Sequence, residues 1–342
     1  MSQIFLQNLI ILPLAATLDY LIGDPWGWPH PVRVMGWVIT NYTQLIFKLP
    51  ISEKNSLIPT IHRLAGIILG ISLILGSAIC GWGLIFLTNR LSPWLAFCLE
   101  VIILASCFAG RSLRNAAEEV LQPLQNQDII QSRQKLSNYV GRDTDNLSET
   151  EILRAVLETV TENAVDGVLA PLFYAILGSF AGGAGALSFA LAYKAASTLD
   201  SMVGYKTEPY KNIGWFSAKL EDIITWFPCR LAVLTLGLIS GKIAHVWQIC
   251  QRDAIKDPSP NSGWSEGAYA AILDVQVGGI NYYKGQIKEK PLLGDALSPI
   301  TPATIQQALQ LTRHCFLLWL TISLILQILI TYQPFILNQI SS

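Results

Sequence analysis

Four stretches of the chain, about 4–22, 64–88, 92–110 and 315–338, stay apolar for as long as a helix needs to cross a bilayer. A hydrocarbon core of roughly 30 Å takes ~20 residues at the helical rise. Inside it, each segment must satisfy its own backbone amides, which leaves helices as the economical solution for a chain with weak strand signals throughout. Composition agrees: 51% of the residues are hydrophobic and only 14% are charged, against about 25% in ordinary soluble domains. Mean hydropathy is +0.42. The N-terminal run lacks the basic flank and small-residue cleavage site of a removed signal peptide, so it reads as a first span. The expected fold class is an all-α integral membrane protein.

Two further apolar runs are interrupted. The run from Val168 to Tyr193 contains Pro171 and the cluster "GSFAGGAG", and the run from Ile223 to Trp247 contains Pro228 and Arg230. Such segments suit broken or re-entrant helices lining a protected cavity, and kinked full spans are the plainer alternative. Charge placement arbitrates. With only the four uninterrupted runs crossing, 22 of the 23 lysines and arginines fall on one side and Arg90 alone on the other. The positive-inside rule favours that arrangement. The expectation is therefore about four full spans plus two broken or re-entrant segments, forming a single polytopic membrane domain over 1–342. Its large polar segments, 111–167, 194–222 and 248–313, would be helical and cytoplasmic, with both termini outside.

Several functions are excluded or left without support. Net charge is −1 and no basic arm is present, so no nucleic-acid partner is expected. The six cysteines contain no CxxC pair, and the four histidines form no HxxxH or HExxH pair, so a zinc site is not indicated. No GxxxxGK[ST] loop occurs, since Gly241-Lys242 is followed by Ile243 and Leu236 stands at the first glycine position. Neither a GxSxG elbow nor a GxGxxG after a strand is present.

Four polar blocks carry the remaining chemistry. In "LDYLIGDPWGWPHPVRVMGWVI", X-Pro steps fix Asp24 and His30, and Asp19 ends an apolar helix. An interfacial belt of Trp26, Trp28 and Trp37 is the plainer reading. The second block, "YVGRDTDNLSETEILRAVLETVTENAVDG", opens with Arg142 and a Ser148-x-x-Glu151 capping box and closes at Gly167. At 100° per residue Glu158, Glu162 and Asp166 share one face, with Asn163 beside them. Like charges at that spacing weaken a helix. Carboxylates of this kind commonly hold Mg²⁺ against phosphates, whereas a solvated face is the ordinary reading of a charge run.

The third block, "AYKAASTLDSMVGYKTEPYKNIGWFSAKLEDIITWFPCRL", supplies Lys194, Asp200, Lys206 and Arg230. Lysines snorkelling from helix ends are the alternative. In the fourth, "RDAIKDPSPNSGWSEGAYAAILDVQVGG", Pro258, Pro260 and Gly263 shape a loop that presents Ser259 and Asn261 next to a helix start near Ser265, with Trp264 able to cover a planar ligand. A capped turn would look the same.

Taken together, "GDPWGWPHPVRVMG", "ETVTENAVDGVLAPLFYAILG", "YKAASTLDSMVGYK" and "DPSPNSGWSEGAYAA" resemble, in order and spacing, the cobinamide synthase family of cobalamin-biosynthesis membrane proteins. The chain departs from the family pattern within "KLEDIITWFPCRL", at Lys219, Glu221, Thr225 and Cys229, while Arg230 is kept. The resemblance implies ATP-dependent amide formation. The propionate carboxylate of adenosylcobyric acid would be joined to (R)-1-aminopropan-2-ol or its O-phosphate, with ATP and Mg²⁺ as cofactors. The bilayer and other cobalamin-assembly enzymes are the further expected partners.

Toward that chemistry Glu158, Glu162, Asp166, Lys194 and Asp200 are the expected catalytic groups, the first three also as Mg²⁺ ligands. His30, Arg142, Asn163, Lys206, Arg230, Ser259, Asn261 and Trp264 are the expected substrate-binding groups. A related regulatory membrane protein linked to β-lactamase induction, and a transporter, are the alternatives. On this reading Glu158→Gln should spare packing and Asn261→Ser should spare stability.

Overall fold

The computed structural model describes residues 3–23, 30–49 and 57–340, with side chains from Leu9 to Gly23, His30 to Leu49 and Leu57 to Thr331. Asp24, Trp26 and Trp28 lie outside the described residues. In chain order the helices are α1 (Gln3–Leu21), α2 (Pro31–Phe47), α3 (Ile58–Leu91), α4 (Pro93–Ala105), α5 (Gly110–Gln125), α6 (Ile129–Leu136) and α7 (Glu149–Asn163). A π-helical segment, Ala164–Leu169, joins α7 to α8 (Ala170–Ala181), and α9 (Gly185–Val203), α10 (Trp215–Ile239), α11 (Ile243–Asp253) and α12 (Ser262–Leu273) follow. Strands β1 (Val277–Tyr283) and β2 (Gln286–Leu293) precede the final helix α13 (Pro302–Ile340).

The protein is a helical integral membrane protein. Among the described residues, five helices are long and apolar enough to cross a membrane: Ile58–Leu91, Pro93–Gln125, Glu149–Ala181, Trp215–Ile239 and Pro302–Thr331. Each interrupted run contributes one of them, and each breaks at glycine. Gly182 (φ +75°) and Gly183 (φ +54°) turn the chain from α8 into α9. There Gly178 and Gly185 pack so closely that a Cβ on either would meet the other's carbonyl oxygen. In the second run Gly241 (φ +68°) makes the turn, and α10 passes through Pro228 without stopping. A proline lacks the N–H that would bond the carbonyl four residues back. That carbonyl, Ile224, takes the Tyr174 hydroxyl instead, at 2.9 Å.

The capping box at Ser148 and Glu151 forms as its sequence indicates. The helix does not close at Gly167, however. It continues through the π segment and past Pro171 to Ala181.

The polar segment 248–313 also departs from the all-helical expectation. It holds an antiparallel hairpin of β1 and β2, joined by a two-residue turn at Lys284 (φ +51°) and Gly285 (φ +75°). Positive φ at both turn positions matches strand twist. Asp143 pins the turn, accepting from Lys284 N at 2.9 Å and Gly285 N at 2.7 Å.

Contacts divide the chain into two interleaved compact units. The first comprises Met1–Phe108, Pro171–Ile224 and Leu318–Ser342. Its core is α3 against α9, with α1 packed on α4 and α2 on α9. Along α3, a Cβ at Gly66 would strike the Ile213 carbonyl and one at Gly81 would meet Leu191. Small residues of this kind let membrane helices approach. The second unit comprises Ala109–Ala170 and Thr225–Leu317. Here α5, α6 and α7 pack together, α11 packs on α12, and the hairpin lies against α7, α11 and α12.

Candidate functional site

In the second unit α7, α12 and the hairpin meet around charge. Glu158, on α7, is 1% exposed. Its Oε2 accepts from Arg142 Nη2, and its Oε1 accepts from Gly278 N at 2.9 Å with Arg154 Nη1 3.6 Å away. Arg142 Nη1 donates to Asn281 Oδ1 at 2.7 Å, and Arg154 donates to the carbonyls of Gly278 and Ile280. Gly278 sits at a break in the ladder register, with φ +93°. A bulge of this kind frees an amide from strand pairing and re-aims it. Two guanidiniums and one amide thus complete a carboxylate that would otherwise be too costly to bury.

One helical turn further on, the balance reverses. Glu162, half-buried, lies within electrostatic reach of Lys290, Asp257, Glu158 and Arg142. Glu266, on α12, is 1% exposed. Its Oε1 accepts from Lys290 Nζ at 3.1 Å, while its Oε2 has no hydrogen-bond partner among the described residues. Burial pushes the Glu266 carboxyl up to about 8, opposed by Lys290 and reinforced by Glu162 and Glu158. Burial works to discharge Lys290, but Glu266, Glu162 and Glu158 outweigh it and hold the ammonium above its ordinary range.

The Ser259–Trp264 loop borders this cluster. Asp257 Oδ1 accepts from Ser259 N at 2.8 Å and the Ser262 hydroxyl at 3.3 Å. The Ser259 hydroxyl accepts from Asn261 N and Ser262 N, so it serves the turn. Asn261 is 3% exposed, and its Oδ1 accepts from Arg230 Nη1 at 2.9 Å. The Arg230 guanidinium lies over Trp226 at 5.0 Å and Trp264 at 4.6 Å. Gly263 is required by close approach, since a Cβ there would sit 2.6 Å from that of Asp257. Helix α12 starts at Ser262, three residues before the expected start, and the Ser265 hydroxyl ties it to the Thr161 carbonyl at 2.5 Å.

The expected site residues therefore separate. Arg142, Glu158, Glu162, Asn163, Asp166, Arg230, Ser259, Asn261 and Trp264 belong to the second unit, whereas His30, Lys194, Asp200 and Lys206 belong to the first. His30 Nδ1 accepts from Val32 N at 3.2 Å and caps α2. Lys194 and Asp200 are half-buried on α9, and Lys206 is exposed beyond its end. Asn163 is exposed and donates to the Thr159 carbonyl at 2.9 Å. Asp166 falls inside the π segment, where the wider turn takes it off the regular α-helical stripe of Glu158 and Glu162.

Glu158 drops out of the expected magnesium ligands. Glu158 is committed to Arg142, Arg154 and Gly278. No three His, Cys, Asp or Glu side chains among the described residues have the spacing of a metal shell.

Sequence reasoning missed Arg154, Asp257, Glu266, Gly278, Asn281 and Lys290. Glu266 lay in plain view within "NSGWSEGAYAA", where a single acid on a small-residue helix is a signal for a buried charge. Lys290 sits in "QIKEKP", which reads as solvated.

The family model described as CobD/Cbib protein matches residues 12–312. "Cobalamin biosynthesis protein CobD" of Synechocystis sp. is 53% identical over 315 residues, covering 92% of this chain and 90% of that protein. "Cobalamin biosynthesis protein CbiB" of Salmonella arizonae is 41% identical over 302 residues, covering 87% and 91%. Its namesake in Salmonella typhimurium is 40% identical over 321 residues, covering 93% and 95%. No solved structure matches the chain.

Proposed function

The chain belongs to the CobD/CbiB family, and from that premise we propose that it acts in cobalamin biosynthesis as an ATP-dependent amide synthase. The propionate carboxylate of adenosylcobyric acid is joined to (R)-1-aminopropan-2-ol or its O-phosphate. A carboxylate is a poor acyl donor, because its charge repels a nucleophile and oxide does not leave. Transfer of the ATP γ-phosphoryl group to a carboxylate oxygen gives an acyl phosphate and ADP. The amine nitrogen then attacks the acyl carbon, the C–N bond forms, the C–O bond to phosphate breaks and inorganic phosphate leaves. The proton lost from nitrogen passes to a base. ATP enters as co-substrate, and magnesium enters the proposal only as the nucleotide's own counter-ion.

The observation that carries this reading is the buried charge cluster of α7, α12 and the hairpin. A purely sensory or structural helix bundle has no need to bury Glu158, Glu266 and Arg142 together beside the partly buried Lys290. Cations held in a low-dielectric site also suit the stabilisation of a developing oxyanion or transferring phosphoryl group. We further propose that the polar segments face the cytoplasm, where ATP is available, because they carry 16 of the 23 lysines and arginines.

The test is ATP consumption by purified protein in nanodiscs. ADP release that requires both the corrinoid and the amine, with one amide product per ADP, supports the assignment. Binding of corrinoid without turnover would turn it into a sensor or carrier. Single cysteines at Asn146 and Thr207 should resist labelling by an impermeant maleimide on intact cells, and labelling of either reverses the orientation.

A further inference from the structure

We propose that the cluster of Glu162, Asp257 and Glu266 beside Lys290 seats a primary alkylammonium, the charged end of the amine. This rests on the proposed amidation for the identity of that amine. The argument is one of local charge. Glu158 and Glu162 lie one turn apart on α7, yet only Glu158 is fully compensated. Around Glu162 stand Asp257 and Glu158 and, on α12, Glu266, with Lys290 as the ammonium that reaches Glu266 at 3.1 Å.

Two of those groups carry a buried oxygen with nothing to bind. Glu266 Oε2 and Asp257 Oδ2 have no hydrogen-bond partner among the described residues, although the other oxygen of each is engaged. A buried acceptor left unmade costs ~1–3 kcal/mol, and more when charged. Retaining two in one cluster is explained by a donor that arrives with a ligand. A partner with several hydrogen-bond donors satisfies both oxygens, and a positive charge on it would also draw the Glu266 carboxyl into its ionised form.

A metal ion is the poorer candidate, because the carboxyl groups of the described residues do not gather into a shell of three. An ammonium makes no such demand. It carries three rotatable N–H donors, each able to reach a separate acceptor. The cluster is also placed for the reaction: Glu162 lies in the last turn of α7, Asp257 precedes the Ser259–Trp264 loop and Glu266 lies on α12, so the seat shares that loop with the Arg230–Asn261 contact.

The test is calorimetric titration of the full-length protein in nanodiscs with 1-aminopropan-2-ol, with and without saturating corrinoid. Propane-1,2-diol serves as the uncharged counterpart. The wild type should bind the amine and ignore the diol. Glu266→Gln and Asp257→Asn should each weaken amine binding at least tenfold and leave corrinoid affinity unchanged, a selective loss that a merely structural role would not produce. If Glu266→Gln does not fold, Asp257→Asn carries the test, since its side chain is half-exposed.

Unchanged amine affinity in the folded Asp257→Asn protein overturns the proposal, as does equal wild-type affinity for the diol. Loss of Mg²⁺ binding with amine binding intact overturns it in favour of a metal. Failure of the amidation reading looks different: the wild type would bind the amine through these residues, yet the two substrates would not stimulate ATP consumption.

Discussion

The two compact units hold themselves together by opposite means. In the first, α3 meets α9 and its neighbours through glycine, with Gly66 against the Ile213 carbonyl and Gly81 against Leu191. In the second, α7 meets the hairpin and α12 through buried charge, from Arg142 and Arg154 on Glu158 to Lys290 on Glu266. The difference follows from solvent. Lipid tails are as apolar as leucine, so helices among them gain by close approach more than by hydrophobic burial. Charges removed from water instead hold one geometry, because any other arrangement leaves them unpaired.

This contrast can be broken by substitution. The largest effect is expected at Glu158→Gln. The sequence makes that change look harmless to packing, but the structure leaves Arg142 and Arg154 facing a neutral amide. Losing one partner of a buried pair costs about 3–5 kcal/mol. A steep loss of folded protein by fluorescence-detected size exclusion is therefore expected, and a normal melting temperature would show that the ion network does not hold the unit.

Asn261→Ser comes next. Removing the acceptor of a guanidinium hydrogen bond costs about 1.5–3 kcal/mol, so stability should fall along with any activity. Expression and melting at wild-type levels would return Asn261 to a purely ligand-facing role. Gly66→Ala tests the other unit. Its new methyl must displace the Ile213 backbone, and overpacking of this sort costs about 1–3 kcal/mol. If it proved as damaging as Glu158→Gln, the two units would not differ in kind.

The smallest effect is a slope with pH. Burial raises the Glu266 carboxyl to about 8, so the folded state holds a proton that the unfolded state releases. That contribution is fully present below the ordinary carboxyl range and is lost as pH rises through about 8. Melting temperature should decline from pH 6 to 9, and Glu266→Gln should flatten the decline. A wild-type profile that rises over that interval would contradict the assignment.

Much of the architecture was legible because local rules suffice for it. Long apolar runs, the Ser148–Glu151 box and the glycine clusters each act on a few neighbouring residues, and each appears where its signal stands. The hairpin was not legible. Its turn is Lys284-Gly285 in place of the usual Asn-Gly or Asp-Gly, and its strands carry charges that read as solvated.

The site divides along the same line. The acidic character of α7 was visible, since Glu158 and Glu162 repeat at helical spacing in the bare sequence. Their fates were not visible. Glu158 is completed by Gly278, 120 residues away, and one oxygen of Glu266 meets Lys290, 24 residues away across the start of the hairpin. Helical periodicity reports which residues share a face. Only the tertiary structure decides what that face meets, because the free energy of a buried charge depends on partners that sequence separation does not reveal.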